Sequence, residues 1–564
     1  MGTDSSGVGG EGHAPLEVAP EGVDDFWSAP WVAWATAGFV ALGVLVRVAR
    51  YLLNFPLYCD ETMLAANFLD RGYADLFRPL DYHQVSPVLF LVLELTAVKL
   101  LGFSELSLRF FPMVCGVAGV PLFRHAAGRV LSGVPLLLAV AVFAVSCWPL
   151  RYVAEVKPYA SDLFVSLGLL ALALEWCRRP GRVGWLWALA VAAPLGVALS
   201  LPAVFVVGGI GLALWLPVWK SGRRGALAAH AVGNLAALAT FLALARFYKT
   251  APHDHAYFHN AWADAFPPLD SAWRLVVWLV DIHTGFMFAY PEGGAHGASA
   301  ATFACFVAAA VVLCRRGRGT VAALCLAPFA LALVAAAIHR YPYGISARTT
   351  QYAAPAICLF SGLGAAYGLS LVRNRVVRRR WLVGLAVTLA GLGLGRLGAD
   401  LYHPFKTPTD ERARAFAHWF WTELSRDGEL ACVHRDLGVS FDPAHWARDA
   451  TETYLCYQRI YSPRHRVGAR VDLDKVSAAR PLRVVLFNEL PAGTPAFDAW
   501  IGGMLARYQL VGVRSFPVSS LEAKRGTTWD QFYLVYEFVP KPPRPTPSLG
   551  ARDARGAAAT QRSR

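Results

Sequence analysis

Residues 30–62 read PWVAWATAGFVALGVLVRVARYLLNFPLYCDET, a long apolar segment that ends at two adjacent carboxylates. The apolar part has about twenty residues, the length an α-helix needs to cross the hydrocarbon core of a bilayer. Asp60 and Glu61 follow where the chain would leave the membrane. Charged groups are costly at such a boundary, so we expect this pair to have a function.

The rest of the sequence has the composition of a polytopic membrane protein. Of its 564 residues, 55% are apolar and only 16% are charged, and the mean hydropathy is +0.40. Soluble proteins carry about 25% charged residues. Apolar runs near twenty residues recur along the chain, which indicates transmembrane helices. The net charge of +14 is concentrated between these runs, which favours a role in membrane topology over nucleic-acid binding.

Five basic clusters set the expected orientation, because cytoplasmic loops are enriched in Lys and Arg. They are Arg124/Arg129, Arg178/Arg179/Arg182, Lys220/Arg223/Arg224, Arg315/Arg316/Arg318, and Arg373 with Arg375 and Arg378–Arg380. With the N-terminus also cytoplasmic, parity excludes run 86–101 as a span. We expect it to lie along the outer face, where Glu94 and Lys99 are tolerated, and we expect the same for the aromatic run 272–290.

This topology has about eleven spans and places the C-terminus outside an inner (plasma) membrane. Arg47 and Arg50 then sit at the outer end of the first span. They would either snorkel to lipid headgroups or serve the site.

Four regions follow from the composition. Residues 1–28 form a disordered cytoplasmic tail, and 29–400 form the transmembrane domain, with a first outer loop at 51–105. Residues 401–540 form a small extracytoplasmic α/β domain, and 541–564 form a second disordered tail. Within the α/β domain we expect helices at 410–426 and 495–508, and strands near 430–434, 483–487, 509–516 and 531–538. Cys432 and Cys456 could form a disulfide in an oxidising compartment.

Three predicted outer loops gather polar side chains that could act on a membrane-borne substrate, the first at 51–105, the second at 151–162 and the third at 339–350. An attacking hydroxyl needs a base such as Asp60, and a phosphate leaving group needs cations rather than an acid. On a helix, Glu155, Tyr159 and Asp162 would share one face. Besides Asp60 and Glu61, the candidates are His83, Gln84, Arg151, Glu155, Lys157, Tyr159, Asp162, Arg340, Tyr343 and Arg348.

Two passages carry a resemblance to a known family. Residues 83–131 read HQVSPVLFLVLELTAVKLLGFSELSLRFFPMVCGVAGVPLFRHAAGRVL and residues 151–164 read RYVAEVKPYASDLF. Together with the Asp-Glu pair after one span, they resemble the C-type membrane glycosyltransferases, in particular the protein O-mannosyltransferase-like and aminoarabinose-transferase-like group. The resemblance covers about residues 30–400.

The resemblance implies a polyprenyl-phosphate-linked sugar as donor and an inverting transfer to an acceptor hydroxyl on the outer face. It assigns the catalytic carboxylate to Asp60, with Glu61 beside it, and a second acidic role to Glu155 or Asp162, of which Glu155 is preferred. The acceptor could be a glycan, a lipid or a protein. Many relatives have Lys-Pro-Pro-Leu where this chain has Gln84-Val85-Ser86-Pro87-Val88-Leu89, so His83, Gln84 or Lys157 would have to replace that lysine as a phosphate ligand.

Other interpretations remain open at this point. The chain could be a transporter or flippase of lipid-linked glycans, although its ionisable residues cluster in outer loops rather than in the spans. It could also be a non-catalytic protein that binds envelope glycans. The sequence establishes no cofactor. A divalent cation is conceivable at the carboxylates, and His253, His255 and His259 are better explained as a solvated loop.

Overall fold

The computed structural model describes residues 25–81, 84–246, 262–424, 430–433, 456–461, 481–487, 495–522 and 528–542. The predicted tail 1–28 lies almost entirely outside these ranges, as do His83 and the histidines at 253, 255 and 259. The chain divides into two compact units, Met1–Asp410 and Glu411–Arg564.

The first unit is helical. Its helices are α1 (Pro30–Leu52), α2 (Cys59–Ala65), α3 (Val88–Leu101), α4 (Glu105–Leu108), α5 (Phe110–Ala127), α6 (Gly133–Val145), α7 (Cys147–Arg151), α8 (Tyr159–Arg178), α9 (Gly184–Leu199), α10 (Ala203–Lys220), α11 (Arg224–Leu244), α12 (Ala272–Thr284), α13 (Ala300–Arg315), α14 (Gly319–Ala337), α15 (Ala354–Ser370) and α16 (Arg375–Tyr402). Short 3₁₀ turns join several of them.

Within the described ranges, eight helices are long and apolar enough to cross a membrane. The segment 133–154, which contains α6 and α7, would make a ninth span if this bent pair counts as one. Two shorter apolar helices, α9 and α13, occupy the remaining positions where the sequence predicts spans. The expectation of a polytopic helical membrane protein is therefore confirmed, whereas the count of eleven stays a prediction.

The predicted span 133–150 contains a break, because the chain bends by 45° after Val145. Ser146 is extended there, which leaves the last carbonyls of α6 without intrahelical partners. Arg47 supplies these partners from α1. One terminal nitrogen donates to the carbonyls of Gly43 and Ala144 at 2.9 and 2.8 Å, and the other donates to Phe143 at 3.3 Å. Arg47 is thus buried rather than snorkelling.

Arg50, the second arginine near the outer end of α1, is paired as well. Its guanidinium forms an ion pair with Asp400 of α16, and it lies 4.5 Å from the ring of Phe55. Arg47 and Arg50 therefore both join α1 to neighbouring segments, and neither contacts Asp60 or Glu61 within the described structure.

Close helix packing at the centre of the unit depends on small residues in α15. A Cβ at Gly362 would lie 2.3 Å from the backbone nitrogen of Ala139 in α6. A Cβ at Gly364 would lie 1.9 Å from the carbonyl oxygen of Cys305 in α13. Only glycine lets the three backbones approach this closely, as is common between membrane helices.

The helix α3 occupies the run 86–101 and has only 14 residues, so it does not qualify as a span by length. Lys99 is exposed and lies 4.1 Å from the ring of Tyr73, as a surface position requires. Glu94 differs from the expectation. It is fully buried, and neither of its carboxyl oxygens has a hydrogen-bond partner among the described residues.

The second unit is a small α/β domain. Its elements are α17 (Pro408–Trp419), which begins just before the boundary, β1 (Leu430–Val433), β2 (Leu482–Phe487), α18 (Pro495–Arg507), β3 (Tyr508–Glu522) and β4 (Thr528–Pro540). The sheet order is β1-β2-β4-β3, with β1 and β2 parallel and the other pairs antiparallel. Leu482, Val484, Trp500, Tyr536 and Phe538 pack in its core. Cys456 is buried, and the side chain of Cys432 lies outside the described part of the structure, so the suggested disulfide stays a prediction.

Candidate active site

The two carboxylates of the loop that follows α1, Asp60 and Glu61, lie in the first turn of α2. Tyr58 is the N-cap residue, and its backbone nitrogen donates to Oε2 of Glu61 at 2.9 Å. Acidic residues are favourable at this position because they complement the helix dipole. Consecutive residues of an α-helix point about 100° apart. Asp60 and Glu61 therefore face different surroundings although they are neighbours in sequence.

Glu61 is completely buried and surrounded by donors. Arg109, the residue before α5, binds it with two nitrogens, each at 2.8 Å. The backbone nitrogen of Val156 donates at 2.8 Å, and Nζ of Lys406 lies 2.7 Å away. Burial alone would raise the pKa of Glu61, but Arg109 and Lys406 outweigh it and hold the pKa well below its usual value.

Asp60 is more open, with 29% of its side chain exposed. Nζ of Lys157 donates to Oδ1 at 3.0 Å, and a terminal nitrogen of Arg348 lies 3.4 Å from Oδ2. Burial would raise the pKa of Asp60, but Lys157 and then Arg348 outweigh it, so the pKa lies below its usual value. Asp60 is thus an ionised carboxylate that remains accessible.

Lys157 and Arg348 are themselves held in place. Nζ of Lys157 also donates to the side-chain oxygen of Gln84 at 2.6 Å, and the Lys157 side chain is only 8% exposed. The guanidinium of Arg348 lies 4.9 Å from the ring centre of Trp262, in cation–π range. The ammonium of Lys157 therefore lies between Asp60 and the side chain of Gln84.

Glu155 completes the cluster from the second outer loop. Its Oε1 accepts from Nε of Arg151 at 2.9 Å and lies 3.2 Å from Nζ of Lys406. Its backbone is extended and α8 begins only at Tyr159, so the expectation that Glu155, Tyr159 and Asp162 share a helix face is wrong. Glu155 is extended and Pro158 is the N-cap residue of α8, so the helix does not include Glu155.

The remaining predicted residues separate into near and distant groups. The ring of Tyr159 packs against Tyr152 at 4.8 Å, and its phenol is close enough to Asp60 and Arg348 to interact with both charges. Asp162 is buried one turn into α8, and one of its carboxyl oxygens has no hydrogen-bond partner in the described part of the chain. The hydroxyl of Tyr343 is hydrogen-bonded to Nε2 of His283 at 3.1 Å, within an aromatic cluster. Arg340 is exposed, and no described ion pair joins it to the carboxylates.

Sequence reasoning missed two cations of this site. Arg109 is buried and directly precedes α5, within the passage 83–131 that resembles the family. Its position just after the predicted loop 51–105 could have indicated that it reaches the carboxylates of that loop. Lys406 follows the last span and gave no such signal. Its side chain is 3% exposed and contacts both Glu61 and Glu155.

The donor set does not fit a resident divalent cation. Within the described residues, no group of three or more His, Cys, Asp or Glu side chains is placed to hold a metal ion. Asp60, Glu61 and Glu155 each contact at least two cationic side chains instead. Divalent metals prefer carboxylate and carbonyl oxygens that are free to coordinate, so we derive no step through a metal.

Comparison with solved structures identifies the fold. ArnT from Cupriavidus metallidurans bound to undecaprenyl phosphate matches with a TM-score of 0.53 and 14% identity, over 90% of this chain and 98% of that chain. The apo state of the same protein matches equally. No family model and no curated protein match the sequence. The expected architecture of the C-type membrane glycosyltransferases is therefore confirmed at the level of the fold.

Proposed function

We propose that this protein is a membrane glycosyltransferase that moves a sugar from a polyprenyl-phosphate-linked donor to an acceptor hydroxyl on the outer face of the membrane. The observation that carries the proposal is Asp60, an accessible ionised carboxylate held between Lys157 and Arg348. The fold shared with ArnT, whose structure contains undecaprenyl phosphate, supports the class of donor.

The charge of the site supports a phosphate leaving group. Five cationic side chains form ion pairs with three carboxylates, and Asp410 beside Lys406 adds at most one more negative charge, so positive charge remains in excess. The cations are Arg109, Arg151, Lys157, Arg348 and Lys406, and the carboxylates are Asp60, Glu61 and Glu155. Lys157 and Arg348 border the open carboxylate, so they are the groups that we expect to bind the phosphate.

In this mechanism, Asp60 takes the proton of the acceptor hydroxyl while that oxygen attacks the anomeric carbon. The bond from the anomeric carbon to the phosphate oxygen breaks, and Lys157 and Arg348 stabilise the charge that develops on the phosphate. Attack opposite the leaving group inverts the anomeric centre.

Donor binding would also prime the base. Lys157 and Arg348 lower the pKa of Asp60 in the free protein. An anionic phosphate between them would offset their charge and thereby raise that pKa. Asp60 would become a stronger base only when donor is present, which limits proton transfer in its absence.

The test is turnover of a panel of radiolabelled polyprenyl-phosphate sugars by purified protein in detergent, with Asp60→Asn and Asp70→Asn compared. Asp70 is an exposed aspartate of the same loop and serves as the matched control. We expect release of polyprenyl phosphate that falls by about 10²–10⁴ in Asp60→Asn and is retained in Asp70→Asn. Turnover by folded Asp60→Asn near the wild-type rate would refute the assignment of the base, and transport without cleavage would favour the flippase interpretation.

A further inference from the structure

Lys406 is the one described residue beyond α16 that binds the carboxylates of the site. It lies in the segment between α16, which ends at Tyr402, and α17, which begins at Pro408. Its ammonium is within 2.7 Å of Glu61 and 3.2 Å of Glu155, so it joins the first and second outer loops. Burial lowers the pKa of Lys406, and Glu155 and Glu61 oppose that effect.

The two carboxylates depend on Lys406 to different degrees. Without it, Glu61 would still accept from Arg109 at two nitrogens and from the backbone of Tyr58 and Val156. Among the described residues, Glu155 would keep only the ion pair with Arg151, whose side chain is 39% exposed. Loss of Lys406 should therefore affect Glu155 first.

The geometry at Glu155 also assigns different tasks to its two oxygens. Arg151 and Lys406 both bind Oε1. No hydrogen bond to Oε2 is seen among the described residues. Two cations on one oxygen fix the rotation of the carboxylate and leave the other oxygen available to a ligand.

We propose that Lys406 is a positioning residue that orients Glu155 so that Oε2 can accept a hydrogen bond from the acceptor substrate. Its contribution to catalysis rests on the proposed glycosyl transfer, whereas its control of Glu155 does not. The segment that leads into the second unit thus forms part of the active site.

Labelling with a fluorescent carbodiimide tests the control of Glu155 without any substrate. The reagent attacks protonated, accessible carboxyls, and peptide mass spectrometry reports each site separately. We expect Lys406→Met to increase labelling of Glu155 several-fold and to leave labelling of Asp60 unchanged. Lys406→Arg should restore protection, and Lys99→Met, which removes an exposed lysine of α3, should have no effect. Unchanged labelling of Glu155 in Lys406→Met would overturn the proposal.

Kinetics then separates positioning from a general structural role. If Lys406 acts through Glu155, Lys406→Met should lower kcat with little change in the KM of the lipid donor. It should also cause no further loss when added to Glu155→Gln. Multiplicative losses in the double variant would show that Lys406 acts independently of Glu155 and would refute positioning. If wild-type protein turns over no donor, the proposed function fails while the labelling result still decides the control of Glu155.

Discussion

Asp60 and Glu61 show how much two adjacent residues of the same charge can differ. Glu61 is buried and saturated by Arg109, Lys406 and two backbone donors, so it has no oxygen left for chemistry. Among the described residues, Asp60 forms ion pairs with Lys157 and Arg348, and its side chain remains accessible. We therefore infer that Asp60 reacts and that Glu61 holds the loops together.

The pH dependence of turnover should depend on Lys157. Because cations lower the pKa of Asp60, the base stays ionised, and kcat/KM should hold steady down to about pH 4, the usual carboxyl range. Lys157 lowers the pKa of Asp60 more than Arg348 does. In Lys157→Met the acidic limb of the kcat/KM profile should therefore move up by about one pH unit or more. An acidic limb that coincides with that of wild type and of the control Lys99→Met would contradict this.

Replacement of Glu61 should affect stability more than replacement of Asp60. Glu61→Gln leaves Arg109 buried without its anion and leaves Lys406 with Glu155 alone, which should cost about 3–5 kcal/mol. Asp60→Asn alters a partly exposed group and should change the melting temperature in detergent little. Equal losses of melting temperature in the two variants would argue against a structural role for Glu61.

The difference in stability between wild type and Glu61→Gln should depend on pH. The folded-state pKa of Glu61 lies below its unfolded value of about 4.3. Its contribution is therefore present above that pH and is lost as the pH falls through the folded pKa. The difference between wild type and Glu61→Gln should be constant above about pH 5 and should shrink in stronger acid.

The sequence could predict those members of the site that lie close together along the chain. The Asp-Glu pair after a span, and the charges of the second loop, follow from composition and position. Lys406 is 345 residues from Glu61, and Arg109 is 48 residues away. Nothing local indicates that such distant cations meet the same carboxylate, because the helix bundle alone brings them together.

At the scale of elements, α17 begins with a capping box formed by Thr407 and Asp410, directly after Lys406. The Thr407 nitrogen and hydroxyl both bond Oδ2 of Asp410, at 3.1 and 2.7 Å, and the Asp410 nitrogen donates to the Thr407 hydroxyl at 3.3 Å. This arrangement fixes the chain directly after Lys406. Burial raises the pKa of Asp410 to about 6, although Thr407 and Lys406 oppose the shift.

Asp410→Asn should stabilise the protein at neutral pH. Because the folded pKa of Asp410 is raised, its favourable contribution is present below the unfolded pKa of about 3.9 and is lost as the pH rises through about 6. Asparagine keeps an oxygen for the Thr407 nitrogen but cannot ionise. At pH 7.5 the variant should have a higher melting temperature than wild type, with a gain in the free energy of unfolding of no more than about 3 kcal/mol. This gain should disappear below about pH 4. The exposed Asp498→Asn is the control, and a gain independent of pH would refute the explanation.

Element boundaries were predictable where pattern and length agree. The strands and helices of the second unit fall close to their predicted positions because alternation and helical periodicity are local signals. The break after Val145 was not predictable. The apolar run continues through it, and the break is stabilised by Arg47 from another helix.

At the scale of the whole molecule, the ion pairs constrain the topology. Residues 61, 155 and 406 must lie on one side of the membrane, because Lys406 contacts both carboxylates. An even number of crossings must therefore separate these positions. Between residues 61 and 155, α5 is one span, so the bent segment 133–154 must be the second.

The two shorter helices are constrained as a pair. Between residues 155 and 406 there are six long spans, so α9 and α13 must either both cross or both fail to cross. If α9 did not cross, α10 would carry Lys220, Arg223 and Arg224 to the outside, against the positive-inside rule. We therefore expect both to cross, which gives the eleven spans that the sequence predicts.

Reporter fusions test this topology directly. Alkaline phosphatase is active only outside the cytoplasm, and green fluorescent protein is fluorescent mainly within it. We expect phosphatase activity for a fusion after residue 564 and for an insertion at 200–202, and fluorescence for an N-terminal fusion and for an insertion at 221–222. Turnover or detergent melting of each fusion confirms that the fold is retained. Fluorescence without phosphatase activity for the insertion at 200–202 would show that α9 does not cross the membrane. The parity argument would then exclude α13 as a span as well.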